Sequence, residues 1–134
     1  MIPPEEYKEI VKILPILCVD LIVRRGDMFL LVKRRNEPLA GEWWVPGGRL
    51  FRGESVYDAA KRILREEVGI TEFHDFNAQG GIYQEVFDKG ACGPIHTVSV
   101  ICEVFTDSDK VVLDEQSDDF MWTNKLPDKF KHNA

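Results

Sequence analysis

Between Gly47 and Ile70 the chain reads GGRLFRGESVYDAAKRILREEVGI, a glycine-rich turn running into a helix-forming stretch, and no other segment limits the fold so strongly. Pro46, Gly47, Gly48 and Gly53 punctuate the approach, Glu54 and Ser55 suit a first helical turn, and Gly69 suits the residue after the last. The pattern predicts a helix from about Glu54 to about Val68. At about 100° per residue, Val56, Ala59, Ala60, Ile63 and Leu64 gather on one face, and Glu54, Asp58, Lys61, Arg62 and Arg65 on the other. Glu67 breaks that division, because it projects between Ile63, Ala60 and Val56 inside the apolar stripe, with Glu66 at the stripe's edge. A carboxylate turned toward a core is costly unless it is paired or holds a cation. Glu67 is salt-bridged to an arginine, lifted to solvent by an imperfect helix, or bound to a metal ion. A preceding glycine turn weighs toward the ion, since backbone without Cβ can approach a phosphate or a metal closely. Carboxylate oxygens suit Mg²⁺ or Mn²⁺ rather than zinc.

The spacing of Gly48, Glu54, Arg62, Leu64, Glu66, Glu67, Gly69 and Ile70 resembles the Nudix box. One fixed position differs: the family pattern has a Glu directly after the arginine, and here that residue is Ile63. On the helical wheel position 63 lies between Glu66 and Glu67, so the resemblance implies two adjacent carboxylates instead of three, and fewer bound metal ions. Further stretches are similar to the GDP-mannose mannosyl hydrolase branch of that family. They are Lys33–Pro38 with Ala40 and Gly41, Trp43–Arg49, and Asp114–Phe120 before Trp122. The similarity covers roughly residues 15–122. Where that branch has a general-base histidine after the glutamine, this chain has Ser117.

Length and charge set outer bounds. The 134 residues suffice for one domain (residues 1–134) that buries about two thirds of its unfolded surface. Cys18, Cys92 and Cys102 are odd in number and lack paired spacing, which argues for reduced thiols over a disulfide framework or a zinc site. A net charge of −6 argues against nucleic-acid or anionic-membrane binding, which rests on neutralising many phosphates. The absence of a leader-like opening, with Pro15 and Asp20 breaking the longest apolar run, gives the expectation of a soluble cytoplasmic chain.

Residues 1–12 read as an arm or short amphipathic helix that starts near a proline, serving either as a dimer contact or as a simple cap. Residues 13–24 read as a central strand with Cys18, Asp20 and Ile22 on one side and Leu17, Val19, Leu21 and Val23 on the other. Asp20 is either a charge at a sheet end or a polar contact in a cleft; in the mannosyl hydrolases the corresponding strand carries a substrate-binding aspartate. A turn at Arg25–Asp27 leads to a second strand over residues 28–34. Lys33, Arg34 and Arg35 form either a solvated basic cluster or, for Arg34, a grip on phosphate oxygens. A loop over 36–41 and a short strand at Trp43–Val45 feed the glycine turn, with the tryptophans read as core and wall. Beyond the helix come a connection at 71–79, a strand at 80–87, a loop at 88–94 and a long strand at 94–105 with His96 at its start. Short strands follow at 111–113 and 120–123. Between these two lies the acidic 114–119, with four acids and Gln116, and a polar terminus over 126–134 closes the chain.

Strands arranged around one signature helix predict an α/β/α sandwich with a mixed sheet. The resemblance implies a Mg²⁺-dependent hydrolase, Mn²⁺ being the alternative ion, acting on a nucleoside diphosphate sugar, with GDP-mannose or GDP-glucose foremost. It implies metal ligands at Gly47, Glu66, Glu67 and Gln116, with Glu66 either ligating or orienting Arg62. Substrate contacts would come from Asp20, Arg34, Arg49 and Arg62, and Glu67, Arg34 and Asp118 would be catalytic. By analogy with the mannosyl hydrolases, water attacks the sugar C1 and the C–O bond breaks. Ser117 is not basic near neutral pH, which leaves Asp118, Glu115 and His96 as bases to choose among. Attack at phosphorus and binding without turnover are the alternatives, and the family's habit points to a homodimer.

Overall fold

A proline at the first helical position, Glu5 and Glu6 in the first turn and Lys12 in the last all favour a helix at the start of the chain. Helix α1 accordingly spans Pro4–Ile13. The computed structural model describes residues 2–90 and 92–134; Met1 of the expected arm and Ala91 of the expected 88–94 loop lie outside them. Strand β1 begins only at Ile16 and runs to Arg25, later than the sequence suggests, because α1 claims Ile13 and Pro15 has no N–H to donate. Its alternation is as expected. Val19, Leu21 and Val23 join one buried cluster, and Ile22 joins the other.

Gly26, at φ 58°, turns β1 into β2 (Met28–Arg34). The two strands pair only beside that turn, at Arg24 with Phe29 and Arg25 with Met28. Farther along they are served by different partners: β3 (Trp43–Trp44) lies on β2, and β4 (Gly47–Arg49) lies on β1 opposite Cys18–Asp20. Residues 43–49 therefore fill a wedge between two diverging strands, bridged midway by the Leu21 N–H donating to the Pro46 carbonyl at 2.8 Å. The glycines read from sequence as a turn are thus partly a strand.

Strands β5 (His74–Asn77) and β6 (Ile82–Phe87) both pair antiparallel with β7 (Ile95–Phe105), which itself runs parallel to β1. The sheet is mixed, as expected, and is completed by β8 (Ser117–Thr123) on β2. Two of these elements correct the sequence reading. Strand β5 occupies part of the supposed connection, and β8 starts three residues earlier than Phe120, inside the acidic segment. The strand expected at 111–113 is absent. There the Val112 N–H donates to the Val68 carbonyl and the Asp114 N–H to the Glu67 carbonyl, so the segment caps a helix end instead of joining a sheet.

That helix, α2 (Val56–Val68), is capped by the Ser55 hydroxyl, which accepts from the Asp58 N–H at 3.0 Å. It starts after Glu54, which is left free for another role. Gly69 closes it at φ 70°, where an added Cβ would also lie 2.9 Å from the Val112 Cβ. Ala59, Ala60, Ile63, Leu64 and Val68 are buried against Val19, Leu21 and Val104, and each large side chain among them contributes about 1.5–3 kcal/mol. The opposite face of the sheet is covered by a 3-10 helix at Asp128–Asn133, giving the α/β/α sandwich. Phe130 in it is fully buried, with ring centroids 5.1 Å from Trp44 and 5.8 Å from Tyr83, so the terminus is a core element and not a fraying polar turn. Among the described residues no helix is long and apolar enough to cross a membrane.

Candidate functional site

The wedge between β1 and β2 opens into a cavity of about 310 Å³. Eight of the nine residues singled out from the sequence line it: Asp20, Arg34, Gly47, Arg49, Arg62, Glu66, Glu67 and Gln116. Asp118 does not. It sits exposed on β8 and pairs with Arg35 at 2.6 Å. The other candidate bases also lie outside the cavity lining, and His96 meets Gln84 at 3.3 Å. Ser117 is buried in register with Arg34, on β8 beside β2.

Glu67 is the centre of the site. The Gly47 N–H donates to its Oε2 at 3.2 Å, and among the described residues it forms no ion pair. Burial, reinforced by the nearby Asp114 charge, pushes its carboxyl up to about 8, against the pull of the Gly47 N–H and Arg34. An arginine partner and a side chain lifted to solvent were the other readings of this inward glutamate; among the described residues no arginine pairs with it, and it turns to the Gly47 N–H inside the cavity. Asp20 lies across β4: a Cβ on Gly47 would come within 2.2 Å of its Oδ1 and 3.0 Å of the Val19 carbonyl. The bare backbone at position 47 is what lets the two strands carry a carboxylate between them. Burial lifts Asp20 to about 6, with the Ser99 hydroxyl and Arg34 opposing.

The arginines divide by role. The Arg34 Nε donates to the Pro38 carbonyl at 2.7 Å, which holds the side chain along the cavity wall. Arg49 has no acidic partner among the described residues, and its guanidinium lies 4.2 Å above the Tyr7 ring. Arg62, expected to contact substrate, lines the cavity with its guanidinium already engaged by protein groups. It donates to both Glu54 oxygens, at 2.6 and 3.0 Å, and to the Arg49 carbonyl at 2.8 Å, and it covers the Phe51 ring at 3.8 Å. Glu54, one residue before the Ser55 cap, thus fastens the turn to the helix. Glu66 stands half exposed at the rim, 3.6 Å from Arg62 and 3.7 Å from Arg65.

Asp114, Ser99 and Tyr7 were not singled out from the sequence. Asp114 belongs to the acidic segment flagged as a possible ligand source, and Ser99 is one of the polar residues facing opposite the valines of β7. Tyr7 gave no signal, because nothing in the local pattern of α1 places it over Arg49.

A family model described as the NUDIX domain matches residues 14–125. The chain belongs to the NUDIX family. Over 118 residues this NUDIX protein is 35% identical to the low-salt glycan biosynthesis protein Agl8 of Haloferax volcanii, an alignment covering 86% of this chain and 74% of that one. It is 30% identical over 113 residues to an ADP-ribose pyrophosphatase of Methanocaldococcus jannaschii, covering 84% of this chain and 65% of the other. Among solved structures, a MutT NUDIX hydrolase from Burkholderia pseudomallei superposes with a TM-score of 0.73 at 23% identity, over 89% of this chain and 95% of that one. The chain is a Nudix-type hydrolase.

A divalent ion fits this NUDIX site by donor chemistry. Glu67 has no cationic side-chain partner among the described residues, and Gly47 and Gln116, which line the same cavity, carry further hard oxygens. Among the described residues no three His, Cys, Asp or Glu side chains are already gathered as a metal cluster. Water and phosphate oxygens would have to complete the shell.

Proposed function

We propose that this protein is a Mg²⁺-dependent hydrolase of nucleoside diphosphate sugars, cleaving the C–O bond at the sugar C1, with GDP-mannose and GDP-glucose as the leading substrates. The observation that carries the reading is one cavity holding a largely buried Glu67 beside Arg34 and Arg49, with no ion pair to Glu67 or Arg49 among the described residues. Position 63 adds support, since Ile63 is packed in the core and leaves no third carboxylate on the helix for a second ion. Similarity to a protein named for glycan biosynthesis supports a sugar on the far side of the diphosphate.

Glu67, Gly47 and Gln116 would hold the ion, which supplies positive charge to the diphosphate. Glu66 would act from the rim, mainly through Arg62. Arg34 and Arg49 bind the same leaving group and stabilise the negative charge that grows on it as the C–O bond breaks. The sugar carbon passes through an oxocarbenium-like state, for which leaving-group stabilisation matters more than a strong nucleophile. Asp118, Glu115 and His96 lie off the cavity wall, which Asp20, Glu37, Glu66, Glu67 and Asp114 line, and of these acids Asp20 would take the proton from the attacking water.

Attack at phosphorus is the second reading, favoured by the similarity to an ADP-ribose pyrophosphatase. Hydrolysis of GDP-mannose, GDP-glucose and ADP-ribose in ¹⁸O water with Mg²⁺ separates the two. The expected result is label in the free sugar; label in a phosphate product would establish the pyrophosphohydrolase, and no turnover of any of the three would overturn the proposed substrate class.

We propose a homodimer through the free edge of β6, which pairs only with β7 among the described residues and exposes Ile82 and Val86. Light scattering should show a dimer that Val86→Lys dissociates, and a wild-type monomer would overturn the assignment.

A further inference from the structure

The first helix contributes a side chain to the cavity that neither its own pattern nor the Nudix box accounts for. Tyr7 is half buried, lines the cavity, and lies flat beneath the Arg49 guanidinium at 4.2 Å. Arg49 comes from β4, where it is in register with Cys18 of β1, so its backbone is fixed by the sheet. Its side chain has no such tether. No hydrogen bond or ion pair to its guanidinium exists among the described residues, in contrast to Arg34 on the Pro38 carbonyl and Arg62 on Glu54. A free arginine side chain samples many rotamers and must be ordered again each time an anion binds. An aromatic face restricts that freedom without neutralising the charge, because the ring quadrupole attracts the cation yet leaves the guanidinium N–H edges open.

We propose that Tyr7 is a positioning residue that holds Arg49 extended into the cavity, N–H groups outward, ready to grip a diphosphate oxygen. This inference rests on the proposed phosphate role of Arg49 and adds to it the part played by α1. The helix is then a wall of the binding site, and Val11, buried on the same helix and also lining the cavity, anchors it there. The ring face, and not the hydroxyl, carries the effect. Phenylalanine should therefore replace Tyr7 and leucine should not.

The test is the Mg²⁺-dependent binding of GDP and ADP by calorimetry, with guanosine and adenosine as phosphate-free controls, on wild type, Tyr7→Phe, Tyr7→Leu, Arg49→Ala and the Tyr7→Leu/Arg49→Ala double variant. Circular dichroism verifies that each variant keeps its helix content. Tyr7→Leu is expected to weaken whichever diphosphate the wild type binds by about three- to tenfold, and to leave nucleoside binding unchanged. Tyr7→Phe should match wild type, and Tyr7→Leu should add nothing once Arg49 is alanine. A Tyr7→Leu effect that persists without Arg49, an equal loss in Tyr7→Phe, or no loss at all would overturn the inference while the phosphate site stands. A wild type that binds neither diphosphate would overturn both together.

Discussion

Replacing Glu67 by glutamine is expected to lower Mg²⁺-dependent turnover on the order of 10³-fold while leaving the metal-free fold as stable as wild type, or more so. The two halves of that expectation have one cause. Without metal the carboxyl is pushed up to about 8 and is largely protonated at neutral pH, and a protonated glutamate and a glutamine have nearly the same shape and no charge. The amide oxygen can keep the bond from the Gly47 N–H. What glutamine lacks is the negative charge that a hard cation requires. The variant should therefore also lack the rise in Tm expected when Mg²⁺ is added to the wild type. Thermal melts with and without Mg²⁺, run beside steady-state kinetics, read both effects. Full activity in Glu67→Gln would remove the metal assignment, and a collapsed metal-free fold would show that the charge is structural.

The metal-free protein is expected to lose stability as pH rises from about 4 to about 8, and the stabilisation by Mg²⁺ is expected to grow over the upper part of that range. In the unfolded chain Glu67 and Asp20 titrate near their ordinary values of 4.5 and 3.8, whereas in the fold they stand at about 8 and about 6. Between those limits the native state holds more protons than the unfolded state, so stability falls with rising pH. The contribution is complete below the unfolded values. Asp20's share is lost on passing pH 6, and Glu67's on passing pH 8. A cation that binds the ionised Glu67 must displace its proton, so the Mg²⁺ increment in Tm should be small at pH 6 and large at pH 8.5. Calorimetry in buffers of different ionisation enthalpy should detect close to one proton released per ion bound at pH 7. A metal-free Tm that climbs between pH 6 and 8, or an increment that does not change with pH, would count against the burial of these two acids.

Local rules made the signature helix readable. Ser55, Gly69 and the apolar spacing act over one or two turns, and α2 obeys them to within two residues at its start. The inward glutamate was readable for the same reason. What escaped was decided by contacts distant in sequence. Glu54 looked like a helix opener until Arg62 was seen to take both its oxygens, and Gly47–Arg49 looked like a turn because a three-residue strand carries almost no pattern of its own. Val111–Leu113 has the composition of a strand, but a helix C-terminus with unsatisfied carbonyls claimed it first. Asp118 and Gln116 are two positions apart, yet β8 begins between them. Gln116 stays at the cavity, and Asp118 is carried onto an exposed strand beside Arg35. A one-dimensional pattern cannot locate that boundary, because Arg34 on the partner strand fixes it.

The wedge formed by residues 43–49 separates two properties that most enzymes must trade against each other. Its opening is held by main-chain pairing, with β4 on β1 and β3 on β2, so the gap does not depend on which side chains project into it. Wall residues such as Glu37 and Pro38 lie on a loop outside the paired strands, whereas Gly47, packed against Asp20 and the Val19 carbonyl, has no room for a side chain. A frame of this kind allows one catalytic floor to be fitted with many rims, so new selectivity can arise by altering the cavity mouth while the pairing beneath it stays as it is.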